Sequence, residues 1–271
     1  MATPGRRRFA RYVAIGDSST EGLDDPDGRG GYRGWANRLA ERLAEHQGAV
    51  MYANLGVRGL PTRLVLETQL EPALAMRPDL ATLFAGTNDV VRRRFEAGAV
   101  GRDVERMQRA LVEQGATVLT FTLPDLRPVM PLARFVTGRV LALNEALREA
   151  CASSGATLVD VARYPVASDP RLWSEDRLHA NAIGHARIAL ALANAIGIPG
   201  ADESWKEPLE PEYRPGVVAR IGAEVRWTRR YLAPWVWRHL RGRSSGDGIT
   251  AKRPSLQSML AARADRGAPV G

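Results

Sequence analysis

Residues 12–22 read YVAIGDSSTEG, and the way this stretch ends decides how the rest of the chain is read. Tyr12–Ile15 is an uninterrupted apolar and aromatic run that stops at Gly16. Strands covered on both faces carry such continuous runs, whereas half-exposed strands alternate. Four short polar residues follow, Asp17-Ser18-Ser19-Thr20. The strand therefore ends either in a plain turn or in a presented hydroxyl. On this local reading Ser18 and Ser19 are equivalent.

Working outward, four more runs have the same character: Val50–Asn54, Leu80–Ala85, Thr117–Leu123 and Thr157–Asp160. Segments with helical spacing separate them at Trp35–Glu45, Leu64–Met76, Val100–Glu113 and Phe135–Ala152, and Ala182–Ile196 follows the fifth. This alternation predicts an α/β fold, a parallel sheet with helices on both faces. The 271 residues suffice for one sizeable core and an appendage. Apolar residues at 45% and charged residues at 25% are ordinary for a globular protein. No stretch reaches the length of a membrane span. The basic start MATPGRRRFARY leads straight into the first strand, so it reads as part of the fold and not as a secretion signal. The single Cys151 excludes an internal disulfide framework and fits a reducing, cytoplasmic setting. It lies in a helical pattern and reads as a packing residue.

The net charge of +8 is unevenly placed. Residues 217–271 hold eleven Lys and Arg against three Asp and Glu, which accounts for the whole excess. The composition shifts at Gly200, where GADESWKEPLEPEYRPG reads as a Pro-rich linker or wrapping segment. The chain thus divides into a body, residues 1–200, and an extension, residues 201–271. In the extension, Val217, Ile221, Val225 and Leu232 form one helical stripe, and Trp227, Trp235 and Trp237 lie among arginines. Such a basic aromatic helix either packs back on the body or rests on an anionic membrane surface. Packing is the favoured reading, and nucleic-acid binding is the least favoured. Pro234 breaks this helix or starts another, and residues 241–271 read as flexible.

A wound parallel sheet places ligands at the carboxyl ends of its strands. Those ends carry Gly16-Asp17-Ser18, then NLGVRG (54–59) with Gly56 and Gly59, then AGTNDV (85–90) with Asn88 and Asp89. SEDRLHANAIG (174–184) follows the fifth strand with Asp176 and His179. Acyl transfer by serine needs a base in reach, a group that orients the base, and donors for the developing oxyanion. Ser18 supplies the hydroxyl, His179 the base and Asp176 its orienter, since a spacing of three lets both side chains point the same way. The Ser18 and Gly56 N–H groups and the Asn88 amide are the candidate donors. Asp17 is read as a turn stabiliser, and Asp89 as either a pocket wall or a solvated side chain. His46, His185 and His239 have no Asp three residues before them and read as structural. DDPDG (24–28) lacks the downstream Glu of a calcium loop and reads as a flexible acidic loop. No Gly-x-Ser-x-Gly elbow, dinucleotide fingerprint, P-loop or His-Glu-x-x-His motif is present.

Four blocks in order, GDSS, NLGVRG, GTND and DRLH, resemble those of the SGNH hydrolases, also called GDSL esterases/lipases, across residues 12–197. Ser19 stands where the usual signature has Leu. The resemblance implies a three-layer α/β/α sandwich of the flavodoxin-like type. Its five-stranded parallel sheet would have order 2-1-3-4-5, with the basic extension appended. It also resolves the choice of hydroxyl in favour of Ser18, and implies a site that needs neither metal nor organic cofactor. The expected activity is hydrolysis of a small-molecule or lipid ester through an acyl-enzyme on Ser18. The alternatives are an acyltransferase with a sugar or lipid hydroxyl as acceptor, and a non-catalytic membrane-surface protein acting through its tail.

Overall fold

The computed structural model describes residues 8–211, 222, 224–234, 245–246 and 248–261. The five sequence-read runs form parallel strands β1 (Arg11–Gly16), β2 (Ala49–Asn54), β3 (Leu80–Phe84), β4 (Thr117–Phe121) and β5 (Thr157–Val159), in the order 2-1-3-4-5. Short helix α1 (Ser18–Glu21) follows β1. Helices α2 (Gly34–Gln47) and α7 (Ala182–Ala195) pack together on one face. On the other face α3 (Thr62–Ala75), α5 (Ala97–Glu113) and α6 (Thr137–Ser154) pack side by side. The one-turn helix α4 (Thr87–Val90) caps the end of β3. Apolar side chains of β1 and β3 are buried throughout, as continuous runs require.

The sheet has six strands where the sequence predicts five. Residues Arg253–Leu260, within the stretch read as flexible, form β6 and pair antiparallel with β2 at the sheet edge. Only Arg253, Leu256 and Met259 are partly buried, so β6 shows neither an apolar run nor strict alternation. Its Pro254 suits an edge position, where one face of the ladder is unpaired. Before it, the Lys252 ammonium donates to the carbonyls of Tyr32 and Arg33 at 2.8 and 3.0 Å. The extension therefore joins the body's sheet. Its helical part, described at 224–234, turns Trp227 inward, and Val225 of the expected stripe is 54% exposed. Val217, Ile221, Trp235, Trp237 and His239 lie outside the described residues. Among the described residues no helix is long and apolar enough to cross a membrane.

Two buried side chains fix the loop after α1. His185 on α7 accepts the Trp35 N–H on Nδ1 at 3.1 Å, so Nε2 carries the hydrogen and donates to the Leu23 carbonyl at 2.9 Å. Burial pushes its pKa down to about 4. Asp25 accepts from the Arg38 guanidinium at 2.7 and 2.9 Å and from Gly34 N–H at 3.0 Å. A histidine held neutral stabilises the fold above its unfolded pKa of about 6.5, and that contribution is lost as pH falls towards its folded value. The stability advantage of the wild type over His185→Gln is expected to shrink from pH 6.5 towards pH 4, measured by urea unfolding. A constant difference over that window would contradict the neutral state assigned to His185.

Candidate active site

Ser18 is the first residue of α1, and Asp17 caps the turn by accepting the Ser19 N–H at 3.1 Å. The first N–H groups of a helix have no intrahelical partner, which leaves the Ser18 N–H pointing out of the turn. The two serines differ in their surroundings. Ser18 Oγ lies 2.8 Å from His179 Nε2. Ser19 Oγ accepts the Trp35 indole N–H at 3.2 Å. Ser19 also borders the cavity that Ser18 faces, but its hydroxyl is tied to Trp35, which is wholly buried and meets Phe121 edge-on at 5.3 Å.

His179 Nδ1 lies 2.6 Å from Asp176 Oδ2. The other Asp176 oxygen accepts the N–H groups of Leu178 and His179 at 2.8 and 3.0 Å. Burial acts to raise the Asp176 pKa, but the His179 hydrogen bond and charge, with the Ser174 hydroxyl, hold it well below the usual carboxylate range. An ionised Asp176 accepts only, so His179 carries its hydrogen on Nδ1 and presents the Nε2 lone pair to Ser18. Burial works to lower the His179 pKa, and the hydrogen bond and charge of Asp176, then the charges of Asp24 and Asp17, raise it overall.

Asn88 lies at the cavity wall in α4, and its amide donates to Asp17 Oδ2 at 3.2 Å and to the Leu60 carbonyl at 3.1 Å. Asp17 is fully buried, and desolvation pushes its pKa up to about 7 against the hydrogen bonds it accepts. Asp89 does neither of the things its sequence position suggests: it accepts the Thr62 N–H and hydroxyl, both at 2.8 Å, and so tethers the start of α3.

The structure corrects the place given to Gly56. Its N–H donates to Asn54 Oδ1 at 3.0 Å, and the residue is absent from the cavity wall. A Cβ there would sit 2.7 Å from the Glu21 nitrogen, so this glycine serves close packing of the loop on α1. Gly59, at φ +76°, is the glycine of this loop that lines the cavity, beside Arg58 and Leu60. The loop is anchored by Glu21, 4% exposed, which accepts from the Arg58 backbone at 2.9 Å and pairs with its guanidinium. Two glycines three residues apart look alike in sequence. The discriminating partners, Asn54 and Glu21, were not read as such.

Ser18, Asn88, Asp176 and His179 all border one cavity of about 720 Å³. Its wall also includes the stacked rings of Phe84 and Phe121, 4.1 Å apart, with Val161, Val166 and Trp205. Arg92 and Arg93 line it too, as do Ser245 and Gly246 of the extension. Further residues of the site that the sequence did not single out hold the Asp176–His179 turn. Trp227 donates its indole N–H to the Asp176 carbonyl at 3.2 Å, with the Arg177 guanidinium 4.6 Å over its ring. Arg177 pairs with Glu224 through two 2.8 Å bonds. On the inner side the Ser174 hydroxyl lies 2.6 Å from both Asp176 and Asp24. Among the described residues, Asp24, Asp176 and His179 are the one set whose oxygen and nitrogen atoms approach within 4.8 Å, as cation ligands would. These atoms are already engaged with one another and with Ser174, an arrangement suited to proton handling.

A search of curated proteins returns no match. Solved structures do match. One is LAE5, an alpha/beta hydrolase enzyme from the metagenome of Lake Arreo, at 22% identity and TM-score 0.58, covering 70% of this chain and 95% of that one. A lipase/acylhydrolase from Enterococcus faecalis matches at 22% identity and TM-score 0.57, covering 69% and 95%. A GDSL-like lipase from Parabacteroides merdae matches at 18% identity and TM-score 0.60, covering 71% and 97%. At these identities the likeness shows the shared fold. The profile of the GDSL-like Lipase/Acylhydrolase family matches residues 14–187, from within β1 into α7 and therefore through every strand-end block described above. The match spans well over half of the sequence, and the chain belongs to that family of hydrolases.

Proposed function

We propose that this protein hydrolyses carboxylic esters through an acyl-enzyme on Ser18. The observation that carries this reading is the 2.8 Å approach of Ser18 Oγ to a histidine whose other nitrogen is held by an ionised carboxylate. His179 Nε2 takes the Ser18 proton as Oγ attacks the ester carbonyl carbon. The imidazolium then returns that proton to the departing alkoxide, releasing the alcohol and leaving the acyl group on Oγ. Water, deprotonated by the same nitrogen, attacks the acyl carbon, and Ser18 is regenerated as the acid leaves. We assign the oxyanion to the Ser18 N–H and to the Asn88 amide, which turns one hydrogen from Asp17, its longer bond at 3.2 Å, to the developing charge, with Gly59 as the loop's candidate donor. Each such donor is typically worth about 10²- to 10³-fold in rate. The apolar side chains of the cavity wall, Phe84, Phe121, Val161, Val166 and Trp205, suit an acyl chain, since each CH₂ buried against them contributes about 0.8 kcal/mol.

The test is a panel of p-nitrophenyl esters of increasing acyl length, run with and without added alcohols. Hydrolysis to free acid supports the reading, and product found chiefly as the new ester would reassign the chain as an acyltransferase. The pH profile carries a second expectation. Only neutral His179 can accept the proton, so kcat/KM is expected to rise with pH through a value above the ordinary imidazole range near 6.5. Asp17→Asn removes a carboxyl that burial pushes up to about 7, and the limb that survives belongs to His179. A limb below 6 in that variant would contradict the assigned environment.

A further inference from the structure

The described loops bring a second carboxylate to the histidine. Asp24 Oδ2 lies 3.8 Å from His179 Nδ1, the nitrogen that Asp176 Oδ2 meets at 2.6 Å. The Ser174 hydroxyl sits 2.6 Å from Asp24 Oδ2 and 2.6 Å from Asp176 Oδ1. A hydroxyl has one hydrogen to donate, so Ser174 links the two carboxylates and serves either one at a time. Asp24 adopts φ +64°, a conformation uncommon outside glycine but accessible to Asp. The turn is fixed from behind by its neighbour Asp25, bound to Arg38 and Gly34. Asp24 is therefore aimed at the site by the same loop that His185 pins through Leu23.

We propose that Asp24 is a positioning residue: it takes the Ser174 hydrogen and orients that hydroxyl oxygen to accept the Asp176 N–H, which holds the Asp176 turn against His179, and it adds a second negative charge beside Nδ1. This rests on the reading of His179 as the base. The charged and titratable groups facing His179 are Asp176 on its own loop, Asp24 after α1, Asp17 at the end of β1 and His185 on α7. Removing the Asp24 charge leaves the imidazolium less stabilised, so His179 loses its proton at lower pH. The effect is screened in part, because the Asp24 side chain is 37% exposed. Asp24 also stands in for Asp176 when that residue is neutralised, so the two substitutions do not act independently.

The experiment measures kcat, KM and the pH dependence of kcat/KM on a p-nitrophenyl ester. The variants are Asp24→Asn, Ser174→Ala, Asp176→Asn and the Asp24→Asn/Asp176→Asn double, each checked for folding by circular dichroism. Asp24→Asn is expected to move the acid limb down by about half a pH unit and to lower kcat about tenfold with KM unchanged. Ser174→Ala keeps both charges, so kcat falls while the limb stays closer to wild type. In the Asp176→Asn background, Asp24→Asn is expected to cost more than it does alone. An unmoved limb, or equal costs in both backgrounds, overturns the proposal. Fluorophosphonate labelling of the wild type at Ser18 separates the two levels: labelling with an unmoved limb rejects only the role of Asp24, and no labelling rejects the serine mechanism beneath it.

Discussion

Ser18→Ala is expected to lower kcat/KM for ester hydrolysis by about 10⁴- to 10⁶-fold while leaving the fold intact, because nucleophile and base act as a unit. The size follows from what is lost. Without Oγ there is no atom 2.8 Å from His179 Nε2 to attack the carbonyl, and what survives is binding and the oxyanion donors alone. The side chain removed is small and lies at the wall of an open cavity, so thermal unfolding should change little. Ser19→Ala is the paired measurement. It leaves the buried Trp35 indole N–H without its acceptor and should cost about 1 kcal/mol in stability, with turnover largely retained. The reverse pattern, activity lost with Ser19 and kept without Ser18, would overturn the assignment.

The largest expected effect on stability is at Gly16→Ala. Gly16 ends β1 at φ +148°, and a Cβ there would lie 2.2 Å from the Phe84 carbonyl oxygen and 2.4 Å from the Thr20 hydroxyl. Neither can give way easily. Phe84 is the register partner of Gly16 in β3, and the Thr20 side chain is buried beneath α1. The backbone of Gly16 is clamped as well: Gln69, buried on α3, accepts from its N–H at 2.8 Å and donates to its carbonyl at 2.9 Å. To admit one methyl group, β1 must part from β3 or the clamp must break, at an expected cost of about 3–5 kcal/mol. Gly115→Ala isolates the part due to backbone conformation alone, since Gly115 has φ +91° and open space around it. That control should cost about 1–2 kcal/mol. Equal losses for the two in guanidinium unfolding would show that the strand-end packing is looser than described.

The β1–β5 layout was legible because each strand is a continuous apolar run and each helix between them repeats its apolar residues at helical spacing. Ser18, Asn88, Asp176 and His179 were legible for a related reason: strand order brings their blocks to one sheet edge, and all four border the cavity. What escaped depends on partners far along the chain. The choice of Gly59 over Gly56 turns on Asn54 and on the Glu21–Arg58 pair. The hold on the Ser19 hydroxyl comes from Trp35, and the aim of Asp24 turns on Ser174, 150 positions away. Strand β6 escaped because its pairing comes from the free edge of β2, while its own residues show no strand period. Trp227 stood in a segment read for its charge, and its contact with the Asp176 carbonyl follows from the fold of both.

The central claim is that Ser18 is the activated nucleophile, and the most direct measurement is the site of covalent modification. The full-length protein is treated with a fluorophosphonate, digested, and the adduct located by mass spectrometry, in the wild type, Ser18→Ala and Ser19→Ala. The account predicts a single adduct on Ser18 in the wild type and in Ser19→Ala, and none in Ser18→Ala. An adduct on Ser19, or labelling that survives in Ser18→Ala, would contradict it.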